Sequence, residues 1–286
     1  MIAITGASGH LGQLVVASLA KKVPAKDIVA IVRNPTKAQG LQALGVQVRQ
    51  GDYTKPGDWD TALASVDKLL LISAADIGQR AAQHATVIAA AKRAGVKLLA
   101  YTSLLRADTS SIGMATEHKE TEATIRTSGV PAVILRNSWY IENHLAGLPA
   151  ALSMGSVYGC AGDGRFAPAT RQDFADAAVA VLTTEGHAGK VYELSGDTAY
   201  TLAEFAAEVS KQTGKTIGYV NVPEAAFKQA LLGAGLPEFV AELLANADTA
   251  ASKGALFDDG RQLSKLIGRP TTPLATALAT ALKVAL

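Results

Sequence analysis

Cysteine is almost missing from these 286 residues. Cys160 stands alone, so no intramolecular disulfide can form, which fits a reducing compartment. Its neighbours in GCAGDG include no histidine to activate a thiolate, so a packed or solvent-facing thiol is expected. No uninterrupted apolar stretch approaches the ~18–20 residues that span a bilayer. No Lys/Arg run is dense enough for a nucleic-acid arm, and the formal net charge is only +2. MIAITG runs straight into a glycine turn with no basic region ahead of it, so no secretory leader is expected. These absences point to a soluble, cytoplasmic protein without membrane or nucleic acid as partner. With 49% hydrophobic and 18% charged residues, the chain can bury a sizeable core and is not intrinsically disordered.

Several catalytic signatures are missing too. The histidines (His10, His84, His118, His144, His187) show no paired ligand spacing such as HExxH, so no metal site is expected. Gly-x-Ser-x-Gly is absent, which removes the hydrolase elbow. No tyrosine is followed four places later by lysine, which disfavours carbonyl reduction by a Tyr/Lys dyad.

What is present is strand–helix alternation. The spacing predicts strands at Ile2–Thr5, Ile28–Val32, Val46–Gln50, Lys68–Ile72, Leu98–Thr102 and Ala132–Leu135. Amphipathic helices are predicted between them at Leu11–Lys22, Thr36–Leu44, Trp59–Ala64, Arg80–Ala94 and His118–Ser128. Nearly wholly apolar strands with helical crossovers imply an α/β fold with a Rossmann-type doubly wound parallel sheet. Beyond residue 150 the texture changes to short β pieces (Val157–Gly159, Val191–Ser195, Ile217–Val222) among helices. The expected organisation is a dinucleotide-binding domain over 1–150 and a smaller α/β lobe over 151–286, the boundary approximate and the lobes interleaved.

Gly6-x-x-Gly9-x-x-Gly12 follows the first strand and opens a helix at Leu11. Gly6 permits the tight turn, Gly9 lets backbone approach a pyrophosphate, and Gly12 lets helix and sheet pack closely. Ser8, His10 and Leu11 complete the loop, whose first helical N–H groups suit phosphate oxygens. Arg33 stands after the second strand, where an NAD-specific domain carries Asp or Glu, and Lys37 follows one helical turn later. Cations there suit a 2′-phosphate, so NADPH is expected over NADH, solvated surface charges being the alternative. Asp52 after the third strand could accept from the adenine amino group with Tyr53 packed beside it, or merely cap a turn. Ser73 and Ala74 after strand four, and Thr102 ending strand five, complete the expected cofactor contacts.

LRNSWYIEN, residues 135–143, ends the sixth strand, and carboxyl ends of strands face the ligand crevice in such folds. Asn137 can hydrogen-bond a carboxamide or a substrate carbonyl, while Trp139, Tyr140 and Asn143 form a substrate wall. Trp139 could equally be a core anchor. His118 could donate a proton or be a capping or surface histidine, and Glu117, Glu120 and Glu122 read as a solvated helix face. Without a strong general acid, Asn137, Tyr140 and His118 are the catalytic candidates, and an easy acceptor such as a quinone suits them.

TGASGHLG, IVAIVRNPTKA, VRQGDY, LLLIS, AYTSLL, LRNSWYIEN and SKGALFDDGRQLSKLIG together resemble the NmrA-like, atypical short-chain dehydrogenase/reductase family. Within it they look like the bacterial NAD(P)H:quinone oxidoreductases of type 2, with triphenylmethane reductase a near relative. The resemblance covers essentially the whole chain. It implies an NADPH-dependent reductase of quinones or similar small molecules, with NADH weaker, without flavin or metal. It also implies 2′-phosphate recognition at Arg33, and a homodimer is an open expectation. A non-catalytic dinucleotide sensor, and a reductase of another carbonyl, imine or dye acceptor, stay open on the sequence.

Overall fold

The apolar runs of the first half all become strands, and a seventh comes from the second half. The computed structural model describes residues 1–285, apart from the side chains of Lys37, Val284 and Ala285. They divide into two units, each built from three segments. One comprises Met1–Ala107, Thr116–Asn137 and Arg171–Leu194, the other Asp108–Ala115, Ser138–Thr170 and residues 195–285.

The strands are β1 (Ile2–Ile4), β2 (Ile28–Val32), β3 (Gln47–Gln50), β4 (Lys68–Leu71), β5 (Leu98–Leu104), β6 (Ala132–Asn137), β7 (Ser156–Gly159), β8 (Val191–Leu194) and β9 (Gly218–Asn221). In the first unit, seven of them form a sheet in the order β3-β2-β1-β4-β5-β6-β8, and every pairing in it is parallel. All residues of β2 and β5 are buried, as expected when helices cover both faces. One cluster gathers Trp59, Leu63, Leu69 and Tyr101 with Ile31.

The Val191–Ser195 piece, read above as part of the smaller lobe, is corrected here. As β8 it extends the main sheet, Ile134 facing Val191 and Asn137 facing Leu194. The helix Arg171–Thr183 carries the chain to it and packs on the helix His10–Leu19. A strand's local pattern cannot name its partner; the crossover sets it. Strand order reverses between β1 and β4, so their carboxyl ends flank the switch point where doubly wound sheets bind ligands.

In the second unit, β7 and β9 pair in parallel, Ser156 facing Gly218. The helix Leu202–Thr213 begins in a capping box: Thr201 Oγ1 accepts the Glu204 N–H at 3.1 Å, and the Glu204 carboxylate accepts the Thr201 N–H at 2.7 Å. Gly214, in the left-handed region at φ 69°, ends it. Its apolar face packs Phe205 and Val209 with Leu148, Tyr200 and Leu278.

Candidate active site

The glycine loop follows β1 directly. Gly6 has φ 57°, a conformation that favours glycine, and its carbonyl accepts the Gly9 N–H at 2.9 Å. A Cβ at Gly12 would lie 2.3 Å from Gly6 O and 2.7 Å from Ala7 Cα. Only glycine lets the helix start this close to the turn. The helix His10–Leu19 has Gly9 as its N-cap, no side-chain cap and no carboxylate in its first turn. Its leading N–H groups are thus left for an anion. Ser8, Gly9 and His10 are exposed, Leu11 is buried, and Ser8 and Gln13 help line a cavity of about 400 Å³.

Across the switch point, Ile72 lies against this loop, its Cβ 3.7 Å from where a Gly6 Cβ would sit. The Tyr53 ring stacks on Trp59, and its hydroxyl lies 2.8 Å from Thr5 Oγ1 and donates to the Ile72 carbonyl at 3.0 Å. Tyr53 therefore ties β1 to the end of β4. Burial pushes its hydroxyl pKa up to about 12. Asp52 Oδ1 accepts both the N–H and the hydroxyl of Thr54, at 2.9 and 2.8 Å. This is the turn-capping arrangement. Those hydrogen bonds, with Lys55 and Arg33 nearby, hold the Asp52 carboxyl below its usual range. Arg33 is exposed just beyond β2 and its charge reaches Asp52. The Lys37 side chain lies outside the described residues.

Thr102 is buried on β5 and its Oγ1 accepts the Ser73 N–H at 2.9 Å. Ala74 is buried beside it. Asn137 ends β6 at 5% exposure, and its Oδ1 has no hydrogen-bond partner among the described residues. Such an atom is costly unless a ligand or water meets it. The uncapped helix, the Cβ-free turn and this acceptor all fit a bound dinucleotide.

His118 is 4% exposed, with Nδ1 2.7 Å from the Tyr101 hydroxyl. Burial, then Arg80 and His84, lowers its pKa to about 3. At neutral pH it is an uncharged imidazole inside the first unit rather than an exposed acid. Glu122 also departs from the sequence reading. It is 1% exposed and bonded to Arg136, not solvated, because it shares the inward stripe of its helix with His118 and Ile125. Glu117 is half-buried and accepts the N–H groups of Gly78 and Arg80, both at 3.0 Å.

In the second unit Trp139 is 7% exposed, and neither its Nε1 nor the neighbouring Ser138 Oγ finds a partner among the described residues. Tyr140 is half-buried and bridges Ala169, while Asn143 donates its N–H to the Tyr140 carbonyl at 3.0 Å. His144 Nδ1 lies 2.9 Å from the Tyr200 hydroxyl, and the ring meets Phe166 edge-on. Sequence reasoning missed Ser138, His84, Arg136 and Glu193. Arg136 had a signal: a lone charge inside the apolar run AVILRN needs a buried partner.

Burial lowers four histidine pKa values: His84 and His118 to about 3 and His144 to about 4, Arg80 adding to the effect at the first two, while His187 is lowered by burial and by the nearby Lys190 and Lys68. Unfolding lets each take a proton near its ordinary value, so stability falls as pH falls below about 6.5. Asp248, pushed up to about 6 by burial, acts oppositely, since the folded state keeps its proton. The three uptakes, to which His187 adds in the same direction, outnumber the one from Asp248, so the net loss of stability continues between about pH 6 and 4.5. Urea unfolding at pH 6 and pH 5 checks this; equal midpoints would contradict it.

Among the described residues no helix is long and apolar enough to cross a membrane. Residues 1–276 match the NmrA-like family. Quinone oxidoreductase 2 of Escherichia coli (strain K12) is 58% identical over 278 residues, covering 97% of each chain. The crystal structure of an Escherichia coli NADPH-dependent quinone oxidoreductase complexed with NADPH superposes with a TM-score of 0.96 at 57% identity, covering 99% of this chain and 100% of that one. Triphenylmethane reductase of Citrobacter sp., complexed with NADP(H), gives 0.95 at 42% identity, covering 98% and 100%. With its glycine loop at the switch point of a doubly wound sheet and full-length likeness of this degree, the chain belongs to the NmrA-like family.

Proposed function

We propose that this protein is an NADPH-dependent reductase that passes a hydride to quinones or similarly conjugated acceptors. The observation that carries the reading is full-length identity of 58% to a quinone oxidoreductase, on a chain whose own loop geometry suits a dinucleotide. NADPH would supply the hydride. Gly6, Ser8, Gly9, His10, Leu11 and Gly12 would hold its pyrophosphate through backbone N–H groups and the helix dipole. Arg33, with Lys37, would take the 2′-phosphate, and Asp52 with Tyr53 would border the adenine. Ser73, Ala74 and Thr102 would line the carboxyl ends of β4 and β5, and Asn137 would offer its buried Oδ1 to a carboxamide. On the acceptor side, Trp139 would give a flat face, and Tyr140 and Asn143 polar contacts. His118 would act through Tyr101, at 2.7 Å, rather than as a charged acid. A lone cysteine and the absence of a membrane-crossing helix among the described residues support a cytoplasmic setting.

Initial rates of NADPH and NADH oxidation across a quinone panel test the reading. Turnover with NADPH preferred is expected; none with any quinone would sink it. Arg33→Ala is expected to raise the Kd for NADPH by roughly ten- to a hundredfold while leaving NADH nearly unchanged, since only the 2′-phosphate pairing is lost. Equal changes for both dinucleotides would remove Arg33 as the discriminator.

A further inference from the structure

The first turn of the helix Arg80–Arg93 buries polar side chains where apolar ones would be expected: Arg80 and Gln83 at 4% exposure and His84 at 0%. Two of them grip one residue. His84 Nε2 accepts the Ala74 N–H at 2.9 Å, and Arg80 Nε donates to the Ala74 carbonyl at 2.7 Å. Because the Ala74 N–H can only donate, the His84 proton must sit on Nδ1. From there it points to Thr121 Oγ1 at 2.9 Å, whose hydroxyl donates to the Glu117 carbonyl at 2.8 Å. The rest of the segment is held likewise by side chains. Thr102 takes the Ser73 N–H, and Glu117 Oε1 takes the N–H groups of Gly78 and Arg80.

Burying an arginine, a histidine and their partners costs desolvation, which an ordinary loop does not require. This segment is not placed as an ordinary loop. It leaves the carboxyl end of β4, across the switch point from the glycine turn, with Ile72 Cβ 3.7 Å from where a Gly6 Cβ would sit. We infer that His84 and Arg80 are positioning residues for the dinucleotide: clamping Ala74 by both its N–H and its carbonyl, they fix the 73–79 segment as one wall of the cofactor crevice. The inference rests on the dinucleotide reading above. A neutral His84 with the proton on Nδ1 is the working form, and Thr121 enforces that tautomer.

The test combines amide hydrogen exchange with NADPH titration of the ligand-free protein. In the parent protein the Ala74 amide is expected to be protected and NADPH to bind; failure of the parent to bind NADPH would overturn the dinucleotide reading itself. His84→Phe keeps the ring volume but removes the acceptor. It should speed exchange at Ala74 and raise the NADPH Kd about tenfold, equivalent to about 1.4 kcal/mol. His84→Gln, with an acceptor near the Nε2 position, should recover most of that loss, which a purely space-filling role would not produce. Should His84→Phe fail to fold, Thr121→Val decides, because it frees the tautomer while keeping the side-chain shape; the same rise in Kd is expected. A folded variant with Ala74 exposed and NADPH affinity within twofold of the parent would overturn the inference.

Discussion

Gly12→Ala is expected to weaken NADPH binding by roughly a hundredfold or more, because its methyl has nowhere to go. The added Cβ would lie 2.3 Å from Gly6 O and 2.7 Å from Ala7 Cα, both backbone atoms with no rotamer to change. Either the turn opens or the helix retreats, and both move the leading N–H groups. Gly9→Ala is the informative companion. Its Cβ would meet only Gly6 O, at 3.3 Å, and φ −76° with ψ 166° suits any residue. Gly9→Ala should therefore lower the Tm far less than Gly12→Ala but still weaken NADPH, since Gly9 lies exposed in the turn. Gly12→Ala should lose both stability and binding. Fluorescence titration with NADPH, beside thermal melts, separates the two. Parent-like affinity in Gly12→Ala would contradict the loop assignment.

Arg136→Met is expected to lower unfolding stability by about 3–5 kcal/mol. Ser103, Arg136 and Glu193 face one another across β5, β6 and β8. Arg136 grips Glu122 with two hydrogen bonds, of 2.9 and 2.8 Å, and reaches Glu193 at 2.8 Å. Ser103 adds a further bond to Glu122, at 2.7 Å. Those carboxylates hold the guanidinium charged, its pKa raised above an already high value. Glu193 also accepts the Arg106 N–H at 2.9 Å, where the chain turns with φ 51°. Removing Arg136 leaves Glu122, at 1% exposure, with Ser103 and the exposed Arg126 as its remaining partners among the described residues. The pair as a whole need not stabilise. Arg136→Met combined with Glu122→Leu should recover much of the loss, as uncharged side chains carry no desolvation penalty. Urea unfolding of both variants checks this. An Arg136→Met protein as stable as the parent would show the network to be dispensable.

The two predictions differ in how visible they were before the fold. The glycine phasing lies in one strand–turn–helix unit, so local spacing alone carries it, and β2 came out with the boundaries its apolar run implies. The network does not lie in one unit of sequence. Glu122, Arg136 and Glu193 come from a helix and two strands that meet only once β8 has joined the sheet. Reading Glu122 as solvated followed its acidic neighbours, whereas its helical phase relative to His118 and Ile125 pointed inward. The Ala74 clamp was hidden for the same reason: an Arg and a His four apart on a helix look like surface until strand topology places a backbone against them. For the site, LRNSWYIEN led to Asn137 and Trp139, whose buried polar atoms still lack partners among the described residues. Ser138 between them escaped notice because a lone serine carries no pattern.

Single-turnover mixing with 4-deuterated NADPH tests for direct hydride transfer from the dinucleotide to the quinone. The protein is loaded with each deuterated epimer in turn and mixed with excess quinone, and loss of reduced nicotinamide and gain of hydroquinone are followed together. One hydroquinone per NADPH consumed is expected, with a slower reaction for one epimer only. Tight NADPH binding with no quinone reduction would contradict it, and would mark the protein as a sensor of the dinucleotide.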